Sequence, residues 1–313
     1  MDNEIPRYAI IIATRNRGHK IEATLQSILK SQDPSYEVLI IDQSSNCETE
    51  EAVAPFLQDG RIRYIYSEIT GTCYARNLGI RLSSAPYLVI TDDDCLLPED
   101  WLQKITAPFD QHSEIGVVFC TVEPLPYNPV DGFTPNIIFE KNRIIHSPSE
   151  SFHGLGKGLG LGAGMAIRRS LIESIKGFDQ SLGPGAQFPS AEDKDVAIRA
   201  LYKGWWVYEN ADIAVLHDGF RTWEEMRNLS RRDFYGMGAT FSKYIKVGDL
   251  RILRLVLTWM FIFGIYMPFQ PVAHLHRPKG FKRFYYLMHG VVDGLRKPVE
   301  KGSVRYISDT PYP

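Results

Sequence analysis

Four short apolar runs, each set off by polar residues or glycine, organise the N-terminal part of the chain. Tyr8–Ala13 stops at Thr14-Arg15-Asn16-Arg17-Gly18, and Glu37–Ile41 stops at Asp42-Gln43-Ser44-Ser45. Ile62–Tyr66 follows Gly60, and Tyr87–Thr91 runs into Asp92-Asp93-Asp94. Between the first two, Ile21, Leu25, Ile28 and Leu29 recur at helical spacing. Further helices are expected over about Cys47 to Leu57 and, opening at Gly71-Thr72, about Tyr74 to Leu82. Strands alternating with helices predict an α/β fold with a mostly parallel sheet, covered on both faces and wound right-handed. Ligands of such sheets bind outside the strand C-terminal ends. Thr14, Arg15, Asn16, Asp42 and the three aspartates should therefore share one edge.

Three adjacent carboxylates repel one another unless positive charge sits among them, and a divalent cation backed by a diphosphate would supply it. Other residues stay open between a bland and a chemical role. Asp42 can cap a turn or accept hydrogen bonds from a ribose or base. Arg76 and Asn77, at the start of a helix, can face solvent or pair with phosphate, which suits the planar guanidinium. Glu192 and Asp193 open an acidic first helical turn, which suits the helix dipole and equally suits a carboxylate general base. His217 closes a strand over Asp212–Leu216, where it can be structural or join a carboxylate-held metal.

Composition narrows the partners. The 313 residues are 44% hydrophobic and 23% charged with net charge −2, so a folded core is expected and a nucleic-acid binder, which needs a basic stripe, is not. Cys47, Cys73, Cys95 and Cys120 form no CxxC pair, which argues against a zinc site and favours reduced thiols in a cytosolic setting. The start, Met1 to Pro6, shows no signal peptide.

Further along, a helix is expected after Trp101-Leu102, a strand over Gly116–Val122, and a proline-containing loop over 123–151 that faces substrate. Gly154, Gly156, Gly158, Gly160, Gly162 and Gly164 lie in a stretch that reads either as a strand closely approached by ligand or backbone, or as a hinge. A helix over Ser170–Ile175, a turn at Gly177-Phe178-Asp179, a helix after Asp195, and separate strands at Trp205–Tyr208 and Asp212–Leu216 follow.

Together these residues resemble the inverting family 2 glycosyltransferases, which have the GT-A nucleotide-diphospho-sugar transferase fold. The resemblance covers about residues 7 to 240. Gly71-Thr72-Cys73-Tyr74-Ala75-Arg76-Asn77-Leu78-Gly79 is similar to that family's G-x-x-x-A-R-N-x-G block, and Asp92-Asp93-Asp94 is similar to its DXD metal motif. Gly177-Phe178-Asp179 and Glu192-Asp193 resemble its G-F-D and E-D blocks, with Arg199 downstream. The resemblance implies that Thr14, Arg15, Asn16 and Asp42 bind the nucleoside, with Arg76, Asp92 and Asp93 near ribose, phosphates or donor sugar. It implies Mg²⁺ or Mn²⁺ on Asp94, with Asp92 and His217 as further ligands, and Asp193 as catalytic base beside Glu192. Two departures stand out: Asp42-Gln43-Ser44-Ser45 lacks a second acid that many relatives carry, and Gly164 stands where relatives often have Asn.

The implied function is transfer of a sugar from a UDP-, GDP- or dTDP-sugar to a carbohydrate, lipid-linked or protein acceptor, in polysaccharide, glycolipid or glycan synthesis. A metal-dependent nucleotidyltransferase and a non-catalytic nucleotide-sugar binder are the alternatives. The expected division is a catalytic domain over 1–218, with a nucleotide half to about 122 and an acceptor half from about 123, followed by a helical region over 219–313. In the latter, the apolar run Leu255–Phe269 falls short of the ~20 residues that a spanning helix needs. Basic and aromatic residues surround it, so about 250–290 reads either as a surface for peripheral membrane contact, which would set the protein in the cytoplasm at the inner face of the membrane, or as a helix buried against the catalytic domain or at a dimer interface.

Overall fold

The computed structural model describes residues 5–148, 150, 159–266 and 280–308. The N-terminal elements are β1 (Tyr8–Thr14), α1 (Gly18–Ile28), β2 (Tyr36–Asp42), α2 (Glu48–Val53), β3 (Ile62–Tyr66), α3 (Thr72–Leu82) and β4 (Tyr87–Thr91). They form the parallel half of the sheet in the order β3-β2-β1-β4, with Thr14 in register with Asp42. β-branched residues crowd these strands because both faces are covered: Ile10 and Ile12 pack towards α1, while Ile11 shares the opposite cluster with α3.

Beyond β4 the sheet is mixed. It continues through β5 (Cys95–Leu96), α4 (Trp101–Gln111), β6 (Ile115–Pro124), β7 (Gly132–Phe133), β8 (Arg143–Ile145), β9 (Met165–Arg168), α5 (Arg169–Ser174), α6 (Glu192–Tyr202) and β10 (Trp206–His217). β9 inserts antiparallel to both β4 and β6, and β10 lies parallel to β6. Parallel pairing thus runs through the first four strands and returns between β6 and β10, with β9 antiparallel between the two groups. The two strands expected around residues 205–216 are one strand, kinked by a register shift between Asn210 and Ala214. Asn210 is drawn aside there by its bond to the Lys104 carbonyl (3.0 Å), and the Ala211 N–H donates to Asn142. The 123–151 stretch carries β7 and β8 and a bridge from Val122 to Ile137. Of the glycine stretch, residues 154–158 lie outside the described residues, and Gly162–Gly164 is a short 3₁₀ turn rather than a strand.

The chain after 218 joins the same core. β11 (Arg221–Thr222) leads into α7 (Trp223–Val247), which starts with a reciprocal capping box between Thr222 and Glu225. α8 (Leu250–Met260) runs on as a π-helix, Phe261–Tyr266, and α9 (Gly280–Arg296), β12 (Val299–Glu300) and β13 (Arg305–Tyr306) complete the described chain. Phe241, Tyr244, Val256, Leu287 and Val304 belong to the hydrophobic cluster that also holds Ile11, Ile90 and Phe119. α7 and α9 approach closely through glycine. A Cβ on Gly290 would lie 2.0 Å from the Tyr235 carbonyl oxygen, and one on Gly238 2.0 Å from that of Leu287. Residues 267–279, with the end of the apolar run and His274, His276, Arg277 and Lys279, lie outside the described residues. Among the described residues, no helix is long and apolar enough to cross a membrane.

Candidate active site

The carboxyl ends of β1, β2 and β4 open onto a cavity of about 460 Å³. Thr14, Arg15, Asp92, Asp93, Asp94, Arg76, Glu192, Asp193 and His217 all line it. Asp42 and Asn16 do not. Asp42 is buried and already engaged: it accepts from the Ser44 N–H at 2.9 Å and from Tyr64 Oη at 2.8 Å. Asn16 adopts a left-handed backbone (φ 56°), and its side chain accepts from the Ser45 N–H at 2.9 Å, tying the β1 and β2 loops together. Gln43 takes the position on the cavity wall. Its amide donates to the Ile69 and Gly71 carbonyls and accepts from the Gly71 N–H at 3.1 Å. Gly71 has φ 126°, which only glycine adopts freely, and this clamp fixes the start of α3.

The three aspartates do different work. Asp93 Oδ2 accepts from Thr14 Oγ1 at 2.6 Å, and Oδ1 pairs with Arg17 at 2.8 Å. Burial pushes Asp93 up to about 6, against the pull of Arg17 and Thr14. Asp94 Oδ2 is taken by Arg17, whereas its buried Oδ1 accepts no hydrogen bond and lies 3.4 Å from His217 Nε2. Burial alone would raise Asp94, but the neighbouring His217 and Arg17 outweigh it and hold the group at about 2. His217 Nδ1 contacts the Pro135 carbonyl oxygen at 3.2 Å. In the neutral imidazole this bond puts the proton on Nδ1 and leaves the Nε2 lone pair facing Asp94. Asp92, Asp94 and His217 offer ligand atoms within 4.8 Å of one another. Two carboxylates and an imidazole around an unpartnered buried oxygen fit a hard or borderline divalent cation such as Mg²⁺ or Mn²⁺.

Arg76 connects this cluster to the second acidic pair. It is buried and reaches Asp92 at 3.4 Å and Glu192 at 3.3 Å. Burial first and the Asp193 charge second push Glu192 up to about 7, with Arg76 opposing. Asp193 accepts from the Gly162 N–H at 3.0 Å and the Lys194 N–H at 2.7 Å. A Cβ on Gly162 would stand 2.8 Å from the Arg76 guanidinium, so a larger residue in the 3₁₀ turn would require that side chain to shift. Ala191, just before the acidic pair, has φ 73°, a strained conformation for a residue with a Cβ that swings α6 into the cavity.

Beneath α6 lies a buried ionic network. Lys243 of α7 reaches Asp179 at 2.8 Å and Asp195 at 2.5 Å, and Arg199 binds Asp195 at 2.8 Å and the Ile175 and Gly177 carbonyls. The Tyr306 N–H donates to Asp179 at 2.8 Å. Asn77 exchanges hydrogen bonds with the Phe178 backbone at 2.8 and 3.0 Å, so α3 and the Gly177-Phe178-Asp179 turn are locked together. Sequence reading did not reach Arg17, Lys243, or the cavity residues Arg221 and Arg232. Arg17 was legible as part of the loop closing β1. The other three have no local signal, because only the packing of α7 and the pairing of β11 with β7 bring them in.

The sequence pattern of the family described as "Glycosyl transferase family 2" matches residues 9–175, more than half of the chain. The chain belongs to glycosyl transferase family 2. Validoxylamine A glucosyltransferase of Streptomyces hygroscopicus subsp. jinggangensis is 29% identical over 132 residues, 41% of this chain and 31% of that protein. A putative colanic acid biosynthesis glycosyl transferase, WcaA of Escherichia coli K12, is 25% identical over 156 residues, 44% of this chain and 54% of that protein. The matched segments span about half or less of these relatives. Among solved structures, a mannosyltransferase from Pyrobaculum calidifontis in complex with GDP-Man and Mn²⁺ superposes with a TM-score of 0.61 at 18% identity, over 96% of this chain and 78% of that one. S. aureus TarS 1-349 gives 0.61 at 16%, over 93% and 89%. The fold of this family 2 member is therefore that of the GT-A glycosyltransferases, a mixed α/β sheet with a helical C-terminal region.

Proposed function

We propose that the protein is a metal-dependent inverting glycosyltransferase that moves a sugar from a nucleoside-diphosphate-sugar to an acceptor hydroxyl. The supporting observation is one buried guanidinium, Arg76, joining the Asp92–Asp94 cluster to the Glu192-Asp193 pair at a single cavity. Relatives of the same fold are described with GDP-Man and Mn²⁺ and with UDP-GlcNAc, which favours a nucleoside-diphosphate-sugar donor here.

Asp92, Asp94 and His217 would hold Mg²⁺ or Mn²⁺, which when bound offsets the charge of the leaving diphosphate. Thr14, Arg15 and Gln43 line the nucleoside end, and Thr14 with Arg17 keeps Asp93 fixed beneath it. Arg76 orients Asp92 and Glu192. Asp193 takes the acceptor proton as the hydroxyl attacks the anomeric carbon, and its carboxylate is oriented for this by the Gly162 N–H. A base acting on the face opposite the leaving group gives a single displacement with inversion. In this reading residues 1–218 are the catalytic unit, and the described chain after 218 braces it and adds Arg221, Leu229 and Arg232 to the cavity wall. The protein acts in polysaccharide, glycolipid or glycan synthesis, peripherally at the inner face of a membrane.

Asp193→Asn tests the assignment. Turnover should fall roughly 10²–10⁴-fold while nucleotide affinity holds. Near-normal turnover with unchanged binding would remove Asp193 from the role. Release of pyrophosphate instead of nucleoside diphosphate would replace the reaction class.

A further inference from the structure

We infer that α8, its π-helical extension and α9 form a docking face for an anionic lipid bilayer, set beside the cavity so that acceptors carried on a lipid reach it. This rests on the transferase reading for the acceptor and on the surface itself for the membrane.

Leu253, Leu257, Phe261 and Ile265 follow one another at four-residue intervals, and Phe281 and Tyr285 repeat the interval on α9. These six side chains are between 43 and 62% exposed. Four-residue spacing puts them on one face of each helix. Flanking positions are used inward: Val256 and Leu287 are in the core, and Gly264 packs against the Phe284 ring. The two exposed faces therefore belong to one ridge.

Charge chooses the occupant. Residues 250–266 and 280–296 hold five Lys or Arg (Arg251, Arg254, Lys282, Arg283, Arg296) and one acid, Asp293, a net of +4 in a chain of −2, so the remainder carries −6. Asp293 is already engaged by Tyr235 Oη at 2.9 Å and Arg296 at 3.1 Å. Exposed apolar side chains beside the exposed Arg254 and Lys282 match the headgroup and acyl boundary of an anionic leaflet. A second copy would bring the same positive charge to the same face.

Position ties the face to the reaction. Tyr285 packs on Tyr286, whose ring lies 5.3 Å from the Arg231 guanidinium, and the adjoining Arg232, with Leu229, lines the cavity. The glycine contacts between α7 and α9 hold these neighbours together. A lipid-borne acceptor lying against α9 is thus presented to the cavity rim on the α7 side.

The test is co-sedimentation of the full chain with vesicles of phosphatidylcholine alone or mixed with phosphatidylglycerol. Wild type should bind the anionic vesicles, and Leu257→Glu, Phe281→Glu and Tyr285→Glu together should weaken this roughly tenfold or more. Donor hydrolysis should be unchanged, since none of these residues lines the cavity. An environment-sensitive dye on Tyr285→Cys, in a Cys47→Ser background because Cys47 is exposed, should shift on vesicle addition, and the same dye on Leu57→Cys should not. No binding by wild type, or equal binding by the triple variant, overturns the proposal. A dimer that the triple variant dissociates also overturns it and assigns the face to a second copy. Loss of transferase activity in the wild type would refute the functional reading while leaving vesicle binding to be judged on its own result.

Discussion

Lys243→Met is the sharpest probe of how α6, which carries the proposed base, is held. The network under α6 holds two acids, Asp179 and Asp195, and two bases, Arg199 and Lys243, all nearly inaccessible to solvent. Methionine approximates the volume of lysine but removes one charge, so the two buried carboxylates are left with one guanidinium. Breaking a buried pair in this way costs about 3–5 kcal/mol. Unfolding entropy near 2.1 cal/mol/K per residue gives roughly 0.66 kcal/mol/K for a chain of this length, so Tm should drop by about 5–8 °C. The pH dependence adds an independent check. Burial alone would raise Asp179, but Lys243, the Tyr306 N–H and Arg199 hold it below its ordinary 3.8. A depressed carboxylate contributes stability that is present above its unfolded pKa and lost as pH falls through the folded one. The gap between wild type and variant should therefore be widest near neutral pH and narrow below 3.8. Adding Asp195→Asn to Lys243→Met restores one acid to one base and should recover part of the loss. Denaturant and thermal unfolding across pH measure all three. A variant within about 1 °C of wild type, or a gap indifferent to pH, would refute the reasoning.

Three other outcomes are expected. Glu192 sits near 7 instead of its ordinary 4.5, so its buried charge destabilises the fold as pH rises between those values. Glu192→Gln should flatten that decline in denaturant unfolding at pH 5 and 8. Gly162→Ala forces the Arg76 guanidinium aside and should lower kcat/KM roughly 10–100-fold without a matching change in Tm; normal kinetics would mean the turn relaxes freely. Manganese binding, followed by electron paramagnetic resonance without any sugar substrate, should weaken in His217→Ala and Asp94→Asn and persist in Asp42→Asn, whose carboxylate lies off the cavity.

The parallel half of the sheet was legible because each strand and helix there is a local pattern that keeps its period to its end. Asp92 and Asp94 were legible as site candidates because consecutive acids at a strand end are locally unfavourable and so conspicuous, whereas Glu192 and Asp193 suit a first helical turn and stood out only through the resemblance to the family's E-D block. β9 was not, since four residues with no turn signal can pair on either side. The Asn210 kink was read as a gap because a bulged residue and a loop residue have the same composition. Asp42 shows the limit for single residues. An aspartate after a strand looks alike whether it faces a ligand or, as here, its own turn and Tyr64. Lys243 reads as one more cation on a helix, and only packing takes it out of water.

The bond from the Tyr306 N–H to Asp179 spans 127 residues. Such a contact forms late, because closing a loop of that length precedes any gain from it. During synthesis the Gly177-Phe178-Asp179 turn and α6 emerge long before α7 or β13. Until those arrive, Arg199 is the only cation of the network beside Asp179 and Asp195. A nascent chain stopped short of α7 would thus hold every cavity carboxylate named here and yet keep its proposed base on a helix still looking for its floor.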